Sequence, residues 1–231
     1  MDRRDFLKTV AITGAALSIQ HSEAMEILTQ TINNTNGGNP DLVAVMGGEP
    51  EAMFRRAISE LGGMKQFVKP GQRVVVKPNI GWDKVPELAG NTNPKLVQEI
   101  VKQCFDAGAK EVTVFDHTCD DWQKCYKNSG IEAAAKAVGA KVMPAHLESY
   151  YRRIDLPKGK SMKHAKIHEA ILNCDAWINV PILKNHGGAN LTISMKNHMG
   201  IVWDRGYFHQ NDLQQCIADI CTMQKKAVLN V

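Results

Sequence analysis

The 231-residue chain has six cysteines but no C-x-x-C pair, no H-E-x-x-H, and neither of the spacings G-x-G-x-x-G and G-x-x-x-x-G-K-[ST]. Without paired cysteines it carries no ferredoxin-type iron–sulfur motif and no zinc ribbon. The other absences remove the zinc-protease helix and the two best-known phosphate loops. Charge of one sign is also scarce: 28 Lys and Arg stand against 24 Asp and Glu, and the basic excess is spread along the chain. With only four Trp and four Tyr available for stacking, that balance excludes a nucleic-acid-binding surface. The N-terminal apolar run, Thr9 to Ile19, falls short of the roughly 20 residues that a membrane helix needs, so no span is expected in the mature chain.

What is present begins with Arg3-Arg4-Asp5-Phe6-Leu7-Lys8, which resembles a twin-arginine export signature with Asp2 where Ser or Thr is usual. Ser22-Glu23-Ala24 offers small residues at the two positions an export peptidase reads, placing the mature start at Met25. Residues 1–24 are therefore expected to be a signal peptide, the twin-arginine export machinery a partner, and the mature protein periplasmic or extracellular. Met25 is not a cysteine, so no lipid anchor is expected there. Residues 25–40, rich in Asn and Gly, read as a flexible lead-in. Residues 41–231 suffice for one α/β domain with a sizeable core. The chain stops at Ala227-Val228-Leu229-Asn230-Val231, which reads as a strand just begun and so as a C-terminal truncation.

The domain's rhythm is strand then helix. Leu42–Met46 reads as a short strand, and Pro50 opens a helix to about Leu61. Arg73–Ile80 is a continuous β-branched strand of the kind a sheet covered on both faces requires. Asn93-Pro94 starts a helix with Leu96, Ile100, Val101, Cys104 and Phe105 at helical spacing. Strands at 111–116 and 141–143, with a helix at 131–138 between them, continue the alternation. Residues 150–167 alternate as paired antiparallel strands at an edge. Trp177–Leu183, a helix from Asn190 to Met199 and another from Asp212 to about Lys225 complete the reading. This pattern predicts a wound, mostly parallel sheet with helices on both faces and a small antiparallel edge near 150–167. Most of the cysteines are expected to be buried thiols, with a Cys119–Cys125 disulfide as the alternative outside the cytoplasm.

The tripeptide Lys-Asn-His occurs twice, at 184–186 and 196–198, with Gly187-Gly188 between the copies. Around it the chain resembles a known family through Val74-Val75-Val76-Lys77-Pro78-Asn79, Asn91-Thr92-Asn93-Pro94, Val114-Phe115-Asp116, Asn179–Lys184 and Ser194–Gly200, with Arg205 and His209 extending the match. That family is domain of unknown function 362, and the resemblance covers roughly residues 42–231. It implies a fold and a site but no reaction. Longer members carry iron–sulfur motifs, which this chain lacks, so no cluster is carried over.

The residues themselves point to an anion site at strand C-terminal ends. Lys77 and Asn79 close one strand, Asp116 and His117 the next, and Lys184, Asn185 and His186 the last. The glycines are expected to lead into a helix N-terminus near Asn190, which favours phosphate or carboxylate. Lys196, Asn197 and His198 ride on that helix, making the two copies two walls of one pocket. Arg205 and His209 join the ligand-binding set through the family pattern. Two readings stay open. One is an enzyme on a small anionic substrate, with His186 or His198 as general acid–base and Asp116 orienting a histidine or taking a proton, or instead with a desolvated Lys as covalent anchor for a substrate carbonyl or a cofactor. The other is a non-catalytic protein holding a metabolite or cofactor, or serving a redox partner. A metal site from Asp116, His117, His186, His198 and His209 is a further alternative, opposed by the neighbouring lysines. A buried network of Lys77, Asn79 and Asp116 is the purely structural reading. His146, His164 and His168 are expected at the surface.

Overall fold

The computed structural model describes residues 39–231, so the expected signal peptide (1–24) and most of the expected lead-in (25–40) lie outside the described residues. In chain order the elements are α1 (Pro50–Glu60), β1 (Arg73–Pro78), α2 (Pro94–Asp106), β2 (Glu111–Val114), α3 (Trp122–Asn128) and α4 (Ile131–Ala137). Then come β3 (Lys141–Val142), β4 (Tyr151–Asp155), β5 (His164–His168), α5 (Glu169–Asn173), β6 (Ala176–Val180), β7 (Lys184–His186) and β8 (Asn190–Thr192). The last are α6 (Ser194–Asn197) with a 3₁₀ turn at His198–Ile201, α7 (Gly206–Gln210), α8 (Leu213–Ile220) and β9 (Leu229–Asn230).

Five strands form a parallel sheet in the order β3-β2-β1-β6-β9. The chain moves outward from β1 through β2 to β3, then returns to lay β6 on the other side of β1. The winding direction therefore reverses between β1 and β6. In open α/β sheets that reversal leaves a crevice beyond the strand ends, where ligands bind. The α/β architecture with its parallel sheet is as the alternation predicts, and β4 and β5 pair antiparallel as a small sheet of their own.

Period-two alternation divides the central strands between two cores. Val74, Val76, Ile178 and Val180 pack with α1, α2 and α4 on one face. Val75 and Trp177 pack with Phe115, α5, α8 and Met199–Val202 on the other. Lys77 and Asn179 continue the second set by one more period, so the same alternation carries a cation and a carboxamide into the protein interior. Helix α2 begins where its sequence says it should: Pro94 occupies the first turn, and the Asn93 side chain accepts from Lys95 N at 2.9 Å.

Three local expectations are corrected. Residues 42–46 form no strand; they lack a ladder partner, and Leu42 and Met46 are exposed. The segment after the glycines is no helix but a hairpin, with Lys184↔Thr192, Asn185↔Leu191 and His186↔Asn190 in register. Asn190 turns the chain at φ +60°, and the apolar Leu191 and β-branched Thr192 favour the strand. The helix N-terminus expected to hold the anion is thus absent, and the second Lys-Asn-His rides instead on the short α6. His168 is fully buried and His146 stacks on Trp122 with ring centroids 4.4 Å apart, so neither is the ordinary surface residue expected. All six thiols are free, and Cys104, Cys125, Cys174 and Cys216 are buried as expected.

Candidate functional site

Lys77 is fully buried, and its Nζ lies 2.7 Å from Asp116 Oδ1 and 2.8 Å from Asn197 Oδ1. Asp116 Oδ2 accepts from Ile80 N at 2.7 Å, so both carboxylate oxygens are engaged. Burial pushes the Lys77 pKa down while the Asp116 charge pulls it back up. Gly200 makes this pair sterically feasible. A Cβ there would stand 1.8 Å from Asp116 Oδ1 and 2.6 Å from Lys77 Nζ.

A directed line of carboxamides runs from the surface into the sheet. Lys184 Nζ donates to Asn79 Oδ1 at 3.0 Å, and Asn79 Nδ2 donates to Asn197 Oδ1 at 3.2 Å. Asn197 Nδ2 donates to Asn179 Oδ1 at 2.8 Å, and Asn179 Nδ2 to Asn230 Oδ1 at 2.9 Å. Thr92 stitches the ends of β1 and β6 beside it. Its hydroxyl accepts from Asn79 N at 2.8 Å and donates to Val180 O at 2.7 Å.

Outside this network lies a group of cations. Lys184 is half-buried, also donates to Gly90 O, and sits 6.0 Å from the Trp82 ring. Lys196 is half-buried, and its one hydrogen-bond partner among the described residues is the Met199 thioether at 3.6 Å. Arg205 donates to the carbonyls of His117 and Thr118, and its Nη1 stands 3.2 Å from Cys119 Sγ. Burial lowers the pKa of both lysines; Lys196 and Lys77 add to the effect at Lys184, and Arg205 adds to it at Lys196. Among the described residues none of the three cations has a carboxylate partner within ion-pair distance.

The two copies of Lys-Asn-His part company here. His186 stays at the rim, stacked on His209 with centroids 6.3 Å apart. Its Nδ1 accepts from Gly188 N and Ala189 N at 3.1 and 3.0 Å, which leaves the proton on Nε2. Burial, and then the charges of Lys196, His209 and Lys184, lower its pKa. His198 is buried edge-on against Trp177 at 5.0 Å, with Nδ1 on Ser194 O at 2.9 Å, and burial brings its pKa down to about 4. Asn185 is exposed on β7. The structure therefore brings Asn79, Lys184, His186, Lys196, Arg205 and His209 to one face, and turns Lys77, Asp116, Asn197 and His198 inward.

Sequence reasoning missed the part played here by Cys119, Trp82, Gly90 and Gly200. Only the Asn-His-Met-Gly context marks Gly200 as part of a motif. No group of three or more His, Cys, Asp or Glu that could hold a metal ion occurs among the described residues. His117 is held by Val202 O and stacked on Trp203, apart from the His186–His209 pair.

Fold and site together define a parallel α/β protein with three cations, Lys184, Lys196 and Arg205, gathered near the sheet's reversal point. The chain belongs to the family described as Domain of unknown function (DUF362), whose pattern matches residues 74–231. It is 28% identical over 151 residues to the thylakoid-associated protein sll1697 of Synechocystis sp., a match covering 65% of this chain and 46% of that relative. The chain thus spans less than half the length of this curated relative. Among solved structures it is similar to the lactate racemase apoprotein from Thermoanaerobacterium thermosaccharolyticum, with TM-score 0.46, 14% identity and coverage of 69% of this chain and 38% of that one. A Thermotoga maritima protein gives TM-score 0.43 at 14% identity, covering 68% of this chain and 40% of that one.

Proposed function

We propose that the crevice beyond β1 and β6 binds a small phosphate- or carboxylate-bearing ligand and that the protein acts on it as an enzyme. The observation that carries this reading is the set of three cations, Lys184, Lys196 and Arg205, left without a carboxylate among the described residues. Like charges held together in a partly desolvated place repel, and an anion relieves that cost. His186 adds an Nε2–H at the rim, suited to donate a hydrogen bond or a proton to the bound group.

The test is calorimetric titration with inorganic phosphate and with oxalate at low ionic strength. Exchanging both Lys184 and Lys196 for Gln removes two charge-assisted bonds of roughly 1.5–3 kcal/mol each, so affinity is expected to fall at least a hundredfold. An unchanged affinity in the double variant overturns the reading.

One observation favours a non-catalytic ligand- or cofactor-holding protein, including an accessory to a redox partner. Asp116 is committed to Lys77, and His198 is committed to Ser194 and Trp177. His186→Asn separates the two readings. It should abolish turnover with affinity nearly intact in the enzyme, and merely trim affinity in the binder.

The Arg3-Arg4 segment supports export by the twin-arginine route to the periplasm or beyond. Replacing both arginines by lysine should hold the precursor in the cytoplasm, as cell fractionation would read. Normal export of that variant would refute the route. No helix among the described residues is long and apolar enough to cross a membrane.

A further inference from the structure

The two surface lysines of the crevice differ in a way that the anion reading alone does not require. Lys184 is a committed ammonium, donating to Asn79 Oδ1 and Gly90 O. Lys196 has no oxygen acceptor among the described residues, only the weakly accepting sulfur of Met199 at 3.6 Å. Leaving an ammonium without such acceptors as it leaves water costs far more than leaving a neutral amine so. What sets Lys196 apart is half-burial without an oxygen partner, whereas several exposed lysines have a carboxylate beside them. Lys95, Lys102 and Lys136 are exposed and paired with Glu49, Asp106 and Glu132.

Building on the anion site, we infer that Lys196 is an imine-forming amine, and that the ligand class is a small carbonyl compound bearing a carboxylate or phosphate. Lys184 and Arg205 would hold the anionic group while the Lys196 nitrogen meets the carbonyl carbon. Lys196 stands as a cation beside an inorganic anion, but burial and the Arg205 charge lower its pKa, so it gives up its proton to become a nucleophile more readily than an exposed lysine. In the step itself the nitrogen lone pair forms a C–N bond and the C=O π pair moves to oxygen, which takes up a proton. The carbinolamine then takes one further proton from solvent and loses that oxygen as water, so amine, carbonyl and one proton give a protonated imine and water with no oxidant or reductant. The neighbouring Cys119 thiol also adds to carbonyls, but reversibly and without forming a reducible imine.

The test is borohydride trapping at neutral pH, followed by peptide mass spectrometry of the full-length protein. Three probes are compared: glyoxylate for carboxylate, pyridoxal phosphate for phosphate, and acetaldehyde as an uncharged control. Lys196 is expected to be the first lysine reduced, with at least one anionic probe reacting about tenfold faster than acetaldehyde, as one lost charge-assisted bond predicts. Lys184→Gln should erase that preference, and Lys196→Arg should leave no adduct there while retaining the charge. Adducts spread evenly over the exposed lysines, or a Lys196 that reacts no faster than Lys95, would sink the inference. If phosphate and oxalate bind but Lys196 stays unmodified, the anion site stands and the imine falls. If nothing binds and nothing is trapped, both fall.

Discussion

Gly200 and the Lys77–Asp116 pair show how little freedom single residues have around the crevice. A methyl group at Gly200 would occupy the space of Asp116 Oδ1, so Gly200→Ala must part the ions or move the 3₁₀ turn. Breaking a buried pair costs about 3–5 kcal/mol, and denaturant unfolding of Gly200→Ala should show a loss of that order. Lys77→Met should cost a similar amount by stranding Asp116, and adding Asp116→Asn to it should restore part. His198 is a second residue-scale case. Its folded pKa of about 4 lies below the ordinary 6.5. Above pH 6.5 neither folded nor unfolded chain protonates it, and stability is unaffected. As pH falls from 6.5 to 4 the unfolded chain takes up a proton that the folded chain refuses, and stability declines by up to about 3 kcal/mol. Stability measured across that window should flatten in His198→Gln, and only in part, because burial also lowers the pKa of His117 and His168.

At the scale of elements, legibility followed the strength of local signals. The β-branched run of β1, the Asn93-Pro94 start of α2 and the alternation of β4 and β5 each carry their own geometry, and each lies where its sequence puts it. Residues 42–46 look like a strand, yet a strand is defined by a partner, which no sequence window contains. The hairpin of β7 and β8 was hidden for a related reason: Gly187-Gly188 serves a hairpin turn as well as a helix start, and only the pairing of Lys184–His186 with Asn190–Thr192 decides between them. The site was half legible by the same logic. Strand ends placed Lys77, Asn79, Asp116 and Lys184 together, but the partners of Lys77 lie 39 and 120 residues away in sequence, and no spacing rule reaches that far. Thr92 is the element-scale joint. Thr92→Val leaves Asn79 N and Val180 O without their buried partner, and should cost about 1–3 kcal/mol by chemical denaturation while loosening the crevice.

For the whole molecule, the proposed anion would couple to the fold. A ligand that binds only the folded state, present at a hundred times its Kd, adds about 2.7 kcal/mol of stability. Phosphate should therefore raise the melting temperature of the wild type and leave the Lys184→Gln, Lys196→Gln double variant unmoved. Sodium chloride at equal ionic strength should reproduce none of the wild-type rise. Because β1 and β6 together form the reversal point, the rise should be lost together with tight packing in Thr92→Val.

A row of carboxamides has two senses, since each amide turned over offers its donor where its acceptor stood. The line from Lys184 to Asn230 has one sense only, because an ammonium at its head presents donors alone. Lys184→Glu would reverse that head and turn Asn79 over. Asn197 cannot follow, because its Oδ1 also answers to the buried Lys77. The reversal therefore stops after one amide, and Lys77 acts as an insulator that keeps the half of the line from Asn179 to the exposed Asn230 deaf to the charge at the rim. In an amide NMR spectrum the Asn79 side chain should move with that substitution, while those of Asn179 and Asn230 stay where they are.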